Sequence, residues 1–375
     1  MAGLYIHIPF CKSRCIYCGF YSTTGLSLRQ RYVDAVCKEM ESRNHGITES
    51  WNTRMETVYL GGGTPSQLTL SQLQQLLTCI DGTFEVADNA EVTVEMNPDD
   101  VTAELAAGLR ALGVNRVSMG AQTFDDHRLR FLGRRHTASQ VTKAVNTLRE
   151  ASFENVSIDL MYGFPGETID DWQRDIDAAL ALQVEHISAY CLMVEEGTPL
   201  YEIMTKNEEE DMGKEELERA MYELLTDKLT SAGYEHYELS NFARPGHRSR
   251  HNSSYWQDVP YLGLGAAAHS YDGRQRRWNV SDINIYIKGI EQGEPVFEQE
   301  ELDEDTRYND RITVALRTCK GLCLDELSDH HREYLLRSAR RYVEGGLLQV
   351  VDNHIRLTRR GLFVSDMVMS DLMLV

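Results

Sequence analysis

Segments with strand character and segments with helical periodicity alternate six times over the first half of this chain. The strand-like segments are residues 4–8, 57–60, 91–95, 116–120, 156–161 and 186–190. Helical spacing of apolar residues marks the stretches 28–43, 71–80, 102–112, 139–151 and 169–182. Such alternation predicts a parallel β/α architecture, because parallel strands have to be joined by crossover connections. In β/α barrels the loops that follow the strands share one face, so we expect their polar residues to form one site.

Length and charge narrow the classes of protein to be considered. A chain of 375 residues is long enough for two domains, or for one large α/β barrel with an addition. The formal net charge of −20 opposes binding to a phosphate backbone, so we expect no nucleic-acid partner. We see no apolar run of membrane-spanning length and no signal peptide, which favours a cytoplasmic protein with reduced thiols.

Three cysteines follow the first predicted strand within eight residues. Cys11, Cys15 and Cys18 have the spacing C-x3-C-x2-C. Soft thiolate ligands select iron–sulfur clusters, zinc or copper(I). Zinc usually takes a fourth protein ligand, and no second Cys or His pair follows at finger-like spacing. Three cysteines on a [4Fe–4S] cluster would leave one iron open to a cofactor. A zinc knuckle or three unrelated thiols are the alternatives.

This cysteine spacing, with Tyr17 just before the third cysteine, resembles the radical S-adenosylmethionine (SAM) superfamily, in which the open iron chelates SAM. Further segments resemble the proteins related to oxygen-independent coproporphyrinogen III oxidase (HemN). They are residues 5–11, 61–66, 95–98, 116–122 and 159–166. The resemblance covers most of the chain. It implies a partial (β/α)6 TIM-like barrel followed by a C-terminal helical, winged-helix-like domain.

The same resemblance implies which residues bind SAM. They are Tyr5, Tyr17, Gly62, Gly63, Thr64, Glu95, Gln122, Arg134 and Asp159. The chemistry is suitable, because glycines permit a close backbone approach and an arginine can clamp a carboxylate through two N–H donors. Carboxylate and amide side chains can bind hydroxyl or ammonium groups. Each signal is weak alone, since a Gly-Gly-Gly-Thr-Pro loop is more often only a turn. The chain departs from the family pattern at Glu167, where glutamine is usual.

Two features distinguish this chain from the oxidase branch. Phe20 stands two residues after Cys18, where that branch has a fourth cysteine, and residues 251–256 read His-Asn-Ser-Ser-Tyr-Trp. Both features resemble the HemW branch, whose members are heme chaperones. The resemblance implies heme binding through His251, because a neutral imidazole is a good axial ligand to iron. Without the resemblance, a loop histidine beside core aromatic residues is the simpler interpretation.

The predicted function is therefore that of a heme chaperone with respiratory heme proteins as acceptors. A [4Fe–4S] cluster and SAM would be structural or regulatory ligands, and heme the cargo. The first alternative is a coproporphyrinogen oxidase that decarboxylates a porphyrinogen propionate by radical chemistry. The second is a radical SAM enzyme with another substrate. Cleavage of SAM, a homodimer and transient membrane association all stay open.

The sequence predicts three regions. Residues 1–200 form the barrel core with the cluster loop, residues 201–295 extend the barrel and carry the His-Asn-x-x-Tyr-Trp segment, and residues 296–375 form the C-terminal domain. The acidic stretch 298–305 is interpreted as a linker. Predicted helices at 307–317 and 334–344 precede a hairpin around Asp352 and Asn353, which is typical of a winged helix. Because the chain is acidic, we expect this domain to serve an interaction or lid role.

Overall fold

The computed structural model describes residues 2–45, 54–205 and 214–374. The strands are β1 (Ala2–Ile8), β2 (Met55–Gly62), β3 (Val86–Met96), β4 (Arg116–Gln122), β5 (Val156–Tyr162), β6 (His186–Cys191), β7 (Glu235–Glu238), β8 (Asn241–Ala243), β9 (Tyr261–Leu264), β10 (His269–Tyr271), β11 (Gln275–Asn279), β12 (Phe297–Glu301), β13 (Leu322–Cys323), β14 (Leu348–Val351) and β15 (His354–Leu357). The α-helices are α1 (Arg29–His45), α2 (Leu70–Thr83), α3 (Ala103–Ala111), α4 (Asp126–Phe131), α5 (Ala138–Glu150), α6 (Ile169–Ala181), α7 (Pro199–Thr205), α8 (Lys214–Ser231), α9 (Arg250–Trp256), α10 (Ile283–Gln292), α11 (Glu304–Ala315), α12 (Asp329–Glu344) and α13 (Ser365–Leu372).

The six predicted strands are β1 to β6, and they lie side by side in chain order with parallel pairing. The sheet continues past β1 through β9, β10, β11 and β12, and past β6 through β8 and β7. Because β1 pairs with β9 and β6 with β8, the six parallel strands do not close on one another. The expected partial (β/α)6 barrel is confirmed.

Local sequence signals explain where the barrel helices begin. Thr69 and Gln72 form a capping box at the start of α2, in which each side chain binds the other residue's backbone N–H. Thr102 caps α3 by accepting a hydrogen bond from the Leu105 N–H at 3.1 Å. The apolar faces of these helices pack on the parallel strands and form the main hydrophobic core. This packing holds the ends of the parallel strands, and the loops that follow them, in fixed positions.

The C-terminal unit has a hydrophobic core of its own, built from α11, α12, α13 and the three-stranded sheet β13–β15–β14. The predicted hairpin is confirmed: Asp352 and Asn353 have φ of 47° and 61° and join β14 to β15. Positive φ at both central residues is what a two-residue type I′ turn requires, and Asp and Asn tolerate it. Helices with a β-hairpin match the expected winged-helix-like domain.

The interpretation of residues 298–305 as a linker was wrong. Phe297–Glu301 is strand β12, which pairs antiparallel with β11. Arg276 faces Glu300 across the two strands and lies 3.5 Å from it. One of the acidic residues, Glu300, is thus matched by a basic residue on the neighbouring strand, a pairing that local composition does not reveal. Among the described helices, none is both long and apolar enough to cross a membrane.

Candidate cluster and cofactor site

The loop that carries the three cysteines is fixed at both ends and in the middle. At its ends, the Cys11 N–H donates to the Thr23 carbonyl at 2.9 Å, and the Thr23 N–H donates to the Pro9 carbonyl at 2.7 Å. In the middle, the Ile16 N–H donates to the Leu132 carbonyl at 3.1 Å. Ile16 also packs on a small apolar cluster beside the site. The loop therefore leaves the carboxyl end of β1 in one defined shape.

All three cysteines line one cavity of about 610 Å³. Cys11 Sγ lies 3.5 Å from the Thr64 hydroxyl, and Arg134 Nη1 donates to Cys15 Sγ at 3.5 Å. In the described part of the chain, no three His, Cys, Asp or Glu side chains are grouped as a single metal ion would need. Three thiols around one cavity beside a cation suit an anionic iron–sulfur cluster better than one zinc ion.

The cavity lies at the carboxyl ends of the parallel strands and gathers most of the predicted SAM-binding residues. Those that line it are Tyr17, Gly62, Gly63, Thr64, Glu95, Gln122, Arg134 and Asp159. They come from the cluster loop, from the ends of β2 to β5 and from the loop after α4. The polar residues at the ends of successive strands therefore lie together on one face, as we expected for a β/α barrel.

The glycine run is needed for packing within the protein. A Cβ on Gly63 would lie 2.8 Å from the Pro9 carbonyl carbon, and one on Gly62 would lie 2.5 Å from the His7 ring. The Gly63 N–H donates to the Ile8 carbonyl at 2.9 Å. The end of β2 thus approaches the start of the cluster loop as closely as a backbone without side chains permits. Thr64, the next residue, places its hydroxyl beside Cys11.

Two partly buried carboxyls, Glu95 and Asp159, face the cavity from β3 and β5. Glu95 accepts a hydrogen bond from the Tyr59 hydroxyl at 2.6 Å and one from the Gly62 N–H at 3.1 Å. Burial raises the pKa of Glu95 to about 7, and these two hydrogen bonds limit the rise. Burial likewise raises the pKa of Asp159 to about 6, against the opposing effect of Ser188. Both carboxyls can lose a proton near neutral pH when a cation or hydroxyl group arrives.

Gln122 and Arg134 also line the cavity, and Arg134 lies beside Cys15. Gln122 has φ of 68°, a left-handed conformation that is uncommon for a residue with a side chain. Such strain is characteristic of functional sites, where the surrounding structure holds it. Arg134 Nη2 donates to Asn97 Oδ1 at 2.9 Å and to the Gly120 carbonyl at 2.6 Å, which fixes the guanidinium. The arginine is thus directed at Cys15 and the cavity before any ligand binds.

Tyr5 and His251 lie outside this cavity. His251 sits at the amino-terminal ends of β1 and β2, 1% exposed, with its ring 3.3 Å from a Cβ built on Gly3. Its Nδ1 is hydrogen-bonded to the Thr57 hydroxyl at 2.7 Å and its Nε2 to the Tyr255 hydroxyl at 2.8 Å. Burial lowers the pKa of His251 to about 3, so the ring is neutral. Neither nitrogen is available to iron in this conformation.

Tyr5 connects the predicted SAM residues to that histidine. Its ring stacks with Tyr59 at 6.2 Å and with His251 at 6.4 Å between centroids, and its hydroxyl is 3.0 Å from His7 Nδ1. Tyr5 therefore supports the cavity from behind. A family motif indicates that such a residue matters, but only the register of β1 and β2, which pairs Tyr5 with Tyr59, places it.

Glu167, the departure from the family pattern, has a local structural role. Its Oε2 accepts hydrogen bonds from the Gly163 N–H at 2.7 Å and the Phe164 N–H at 3.1 Å. Arg128 lies 3.4 Å from the other oxygen. The carboxylate therefore closes the loop after β5, which a glutamine oxygen could also do.

Sequence reasoning singled out Phe20 but missed the other residues at the mouth of the cavity. Phe20, Tyr190 and Met193 line it and expose 73%, 43% and 65% of their surface. Met161 and Cys191 also line the cavity, at the ends of β5 and β6. The only sequence signal was Phe20, in the position of the absent fourth cysteine. The other residues lie at strand ends or in the loops that follow, and they belong to no recognisable sequence motif.

Comparisons with known proteins agree with this architecture. A profile of the Radical SAM superfamily matches residues 5–179, and a profile of the HemN C-terminal domain matches residues 302–364. The structure of coproporphyrinogen III oxidase (HemN) from Escherichia coli, described as a radical SAM enzyme, has a TM-score of 0.83 to this chain at 22% identity. The match covers 99% of this chain and 89% of that one. At this identity the likeness shows the fold.

The partial barrel, the cysteine loop and the cavity define a radical SAM protein, a class that implies a [4Fe–4S] cluster and SAM. The heme chaperone HemW of Bacillus subtilis is 35% identical over 369 residues, covering 96% of each chain. HemW of Mycobacterium tuberculosis H37Rv is 36% identical over 376 residues, covering 99% of this chain and 94% of that protein. The chain belongs to the HemW family.

Proposed function

We propose that this protein binds heme and passes it to respiratory heme proteins, with a [4Fe–4S] cluster and SAM as structural or regulatory ligands. The observation that carries the proposal is Phe20, which is 73% exposed at the mouth of the cavity. The oxidase branch has a thiol at that place in its sequence pattern. A phenyl ring offers apolar surface and no redox chemistry, so it suits holding a macrocycle better than transforming one.

The residues of the cavity fit the two cofactors. Cys11, Cys15 and Cys18 would ligate three irons of the cluster, and the fourth iron would stay open to SAM. A reduced cluster of this kind supplies the electron that cleaves SAM. On the protein side, Arg134 would lie beside the cluster, while the partly buried carboxyls Glu95 and Asp159 would ionise and accept hydrogen bonds from SAM. The remaining predicted contacts would orient the ribose and exclude water.

Heme ligation by His251 stays a prediction, and the geometry sets its condition. The ring would have to lose its hydrogen bonds to Thr57 and Tyr255 and leave a site where it is 1% exposed. The region carrying it, proposed as residues 201–295, would then have to open at α9. The C-terminal unit, proposed as residues 296–375, would meet the acceptor protein. We propose a cytoplasmic location. The proposal is compatible with a homodimer and with transient membrane contact, and requires neither.

The test uses anaerobically reconstituted full-length protein in two parallel assays. One contains hemin and an apo-cytochrome acceptor, and the other contains coproporphyrinogen III, SAM and a reductant. Stoichiometric heme binding and transfer without decarboxylation would support the chaperone. Decarboxylated porphyrinogen together with 5′-deoxyadenosine would instead establish the oxidase. The observation that favours this alternative is that most of the predicted SAM-binding residues line one cavity with the three cysteines. Failure of wild-type protein to bind hemin would refute the proposal.

A further inference from the structure

We infer that heme is seated at the mouth of the cavity, with its flat face against Phe20 and Tyr190 and with Met193 as an axial ligand to iron. This inference rests on the proposed heme-binding function and concerns where the macrocycle lies. It places heme at the carboxyl ends of the parallel strands, on the side of the cluster. His251 lies at the opposite, amino-terminal ends of β1 and β2.

Exposure and position single out this surface. Phe20, Tyr190 and Met193 are large apolar side chains that the protein leaves 73%, 43% and 65% exposed, and all three line the same cavity. They come from two separate segments, the cluster loop and the region from the end of β6 onward. Exposed apolar side chains that meet at a cavity mouth, rather than singly, mark a binding surface. Two aromatic rings and a thioether match a flat, apolar and polarisable ligand.

The lining carries one exposed carboxylate, Glu195, and it also offers cations for the two anionic propionates of heme. Arg14 lines the cavity from the cluster loop and is exposed, and Lys12 is exposed on the same loop. Within the described ranges, Arg14 takes part in no ion pair, whereas Arg135, which also lines the cavity, is paired with Asp99 at 2.9 Å. In a chain with a net charge of −20, an uncommitted arginine beside apolar residues favours an anionic, amphipathic ligand.

The axial ligand follows from which donor atoms can reach a macrocycle at the mouth. Methionine sulfur is an established ligand of heme iron. Three methionines line the cavity, and Met193 is the most exposed of them. Met96 is 3% exposed, and Met161 is 7% exposed and packs with Phe164 and Leu192. His251 has both ring nitrogens engaged in hydrogen bonds. His136 also lines the cavity but is 3% exposed. Of the methionine and histidine side chains that line the cavity, Met193 is therefore the one already exposed at its mouth.

The experiment is a hemin titration of reconstituted full-length protein carrying Phe20→Ser and Met193→Ala together. We expect the dissociation constant for hemin to rise by about tenfold or more, because both an apolar contact and an iron ligand are lost. Met193→Leu keeps the apolar bulk, so it should retain most of the affinity but lose the spectral signature of thioether-ligated ferric heme. Met367→Ala is the matched control, because Met367 is 51% exposed on α13 in the C-terminal unit. Iron content and SAM binding check that each variant is folded.

The outcomes separate the inference from the function on which it rests. If wild-type protein binds no hemin, the proposed function fails. If wild-type protein binds hemin and the double variant binds it equally well, heme is seated elsewhere and the inference is overturned. Normal hemin binding with slower transfer to the acceptor would also overturn it, and would make this mouth a docking surface for the acceptor. An unchanged spectrum in Met193→Leu would remove Met193 as the ligand.

Discussion

The ring of Tyr59 stacks on the ring of His251, with centroids 4.9 Å apart and planes 22° apart, while its hydroxyl donates to Glu95 Oε1 at 2.6 Å. One side chain on β2 thus contacts both the carboxyl that faces the cofactor cavity and the histidine of the His-Asn-x-x-Tyr-Trp segment. The two family motifs, more than 150 residues apart in sequence, are joined through a residue that belongs to neither. A change at either end can therefore be transmitted to the other through Tyr59.

Replacing Tyr59 by phenylalanine should weaken SAM binding. The variant keeps the ring that stacks on His251 but removes the donor that holds Glu95, whose pKa would then rise further. A lost hydrogen bond to a group of this kind costs about 1–2 kcal/mol, which corresponds to roughly a tenfold rise in the SAM dissociation constant. Equilibrium dialysis with labelled SAM on the reconstituted protein would measure it.

Tyr255→Phe is the matched control for this prediction. It also removes one tyrosine hydroxyl from a hydrogen bond, but that bond goes to His251 Nε2 at 2.8 Å, away from the cavity. We expect SAM affinity to change less than threefold, an interaction of a few tenths of a kcal/mol at most. Equal losses in both variants would mean that the aromatic stack, rather than the Glu95 hydrogen bond, determines SAM affinity.

SAM affinity should rise with pH between 6 and 8. The pKa of Glu95 is raised to about 7, so the carboxyl is mostly protonated at pH 6 and mostly ionised at pH 8. The ionised form is the better acceptor for the ammonium or hydroxyl groups of SAM, and binding therefore releases a proton. On the acid side of that pKa the affinity should rise by up to about tenfold per pH unit.

Glu95→Gln tests the origin of this pH dependence. Glutamine has nearly the same shape and keeps an acceptor for the Tyr59 hydroxyl, but it does not titrate. The variant should bind SAM more weakly at pH 8 and show little rise above pH 6.5, leaving only the contribution of Asp159, whose pKa is about 6. A wild-type slope that persists in Glu95→Gln would assign the titration to another group.

Cys15→Ala should abolish the cluster. Each of the three thiolates would hold one iron, and two cysteines provide too few ligands for a stable cube, so iron should fall from roughly four atoms per chain towards zero. Cys79→Ala is the control, because Cys79 is half-buried on α2 and does not line the cavity. Iron analysis and visible absorption would decide. Survival of the Fe–S absorption in Cys15→Ala would refute the assignment of the cysteine loop.

The periodicity of apolar residues and the turn residues between segments were sufficient to predict most of the fold. The alternation of strands and helices predicted β1 to β6, and the Asp-Asn pair predicted the hairpin between β14 and β15, because both signals are local. The acidic strand β12 was missed because it forms by pairing with β11, some 20 residues earlier in the chain. Composition describes a segment alone, whereas an edge strand is defined by its neighbour.

The buried charges could not be predicted from sequence. Glu39 is 2% exposed and accepts hydrogen bonds from the Gly265 N–H, the Asn279 amide and the Tyr286 hydroxyl, all more than 200 residues away. A glutamate on a helix is expected to face solvent, and only the tertiary structure supplies the partners that permit its burial. The positions of Tyr5 and His251 outside the cavity could not be predicted either, because they too depend on partners that only the tertiary structure supplies. Motifs indicate that residues matter, not which side of a sheet they face.

His251 should make the stability of the protein depend on pH below neutrality. Its pKa is lowered from an ordinary 6.5 to about 3 by burial, so the folded protein keeps the ring neutral while the unfolded chain protonates it. The unfolded state binds the extra proton as the pH falls through 6.5, and stability is lost towards pH 3, by about 2 kcal/mol at pH 5. His251→Gln should be less stable than wild type at pH 7.5, and urea unfolding should show this difference shrinking by that amount at pH 5.

His127→Gln, at an exposed position on α4, is the control, and its free energy of unfolding should differ from that of wild type by the same amount at both pH values. A constant difference between His251→Gln and wild type would mean that His251 is already charged or solvated in the folded protein, and that its ring is open to ligands after all.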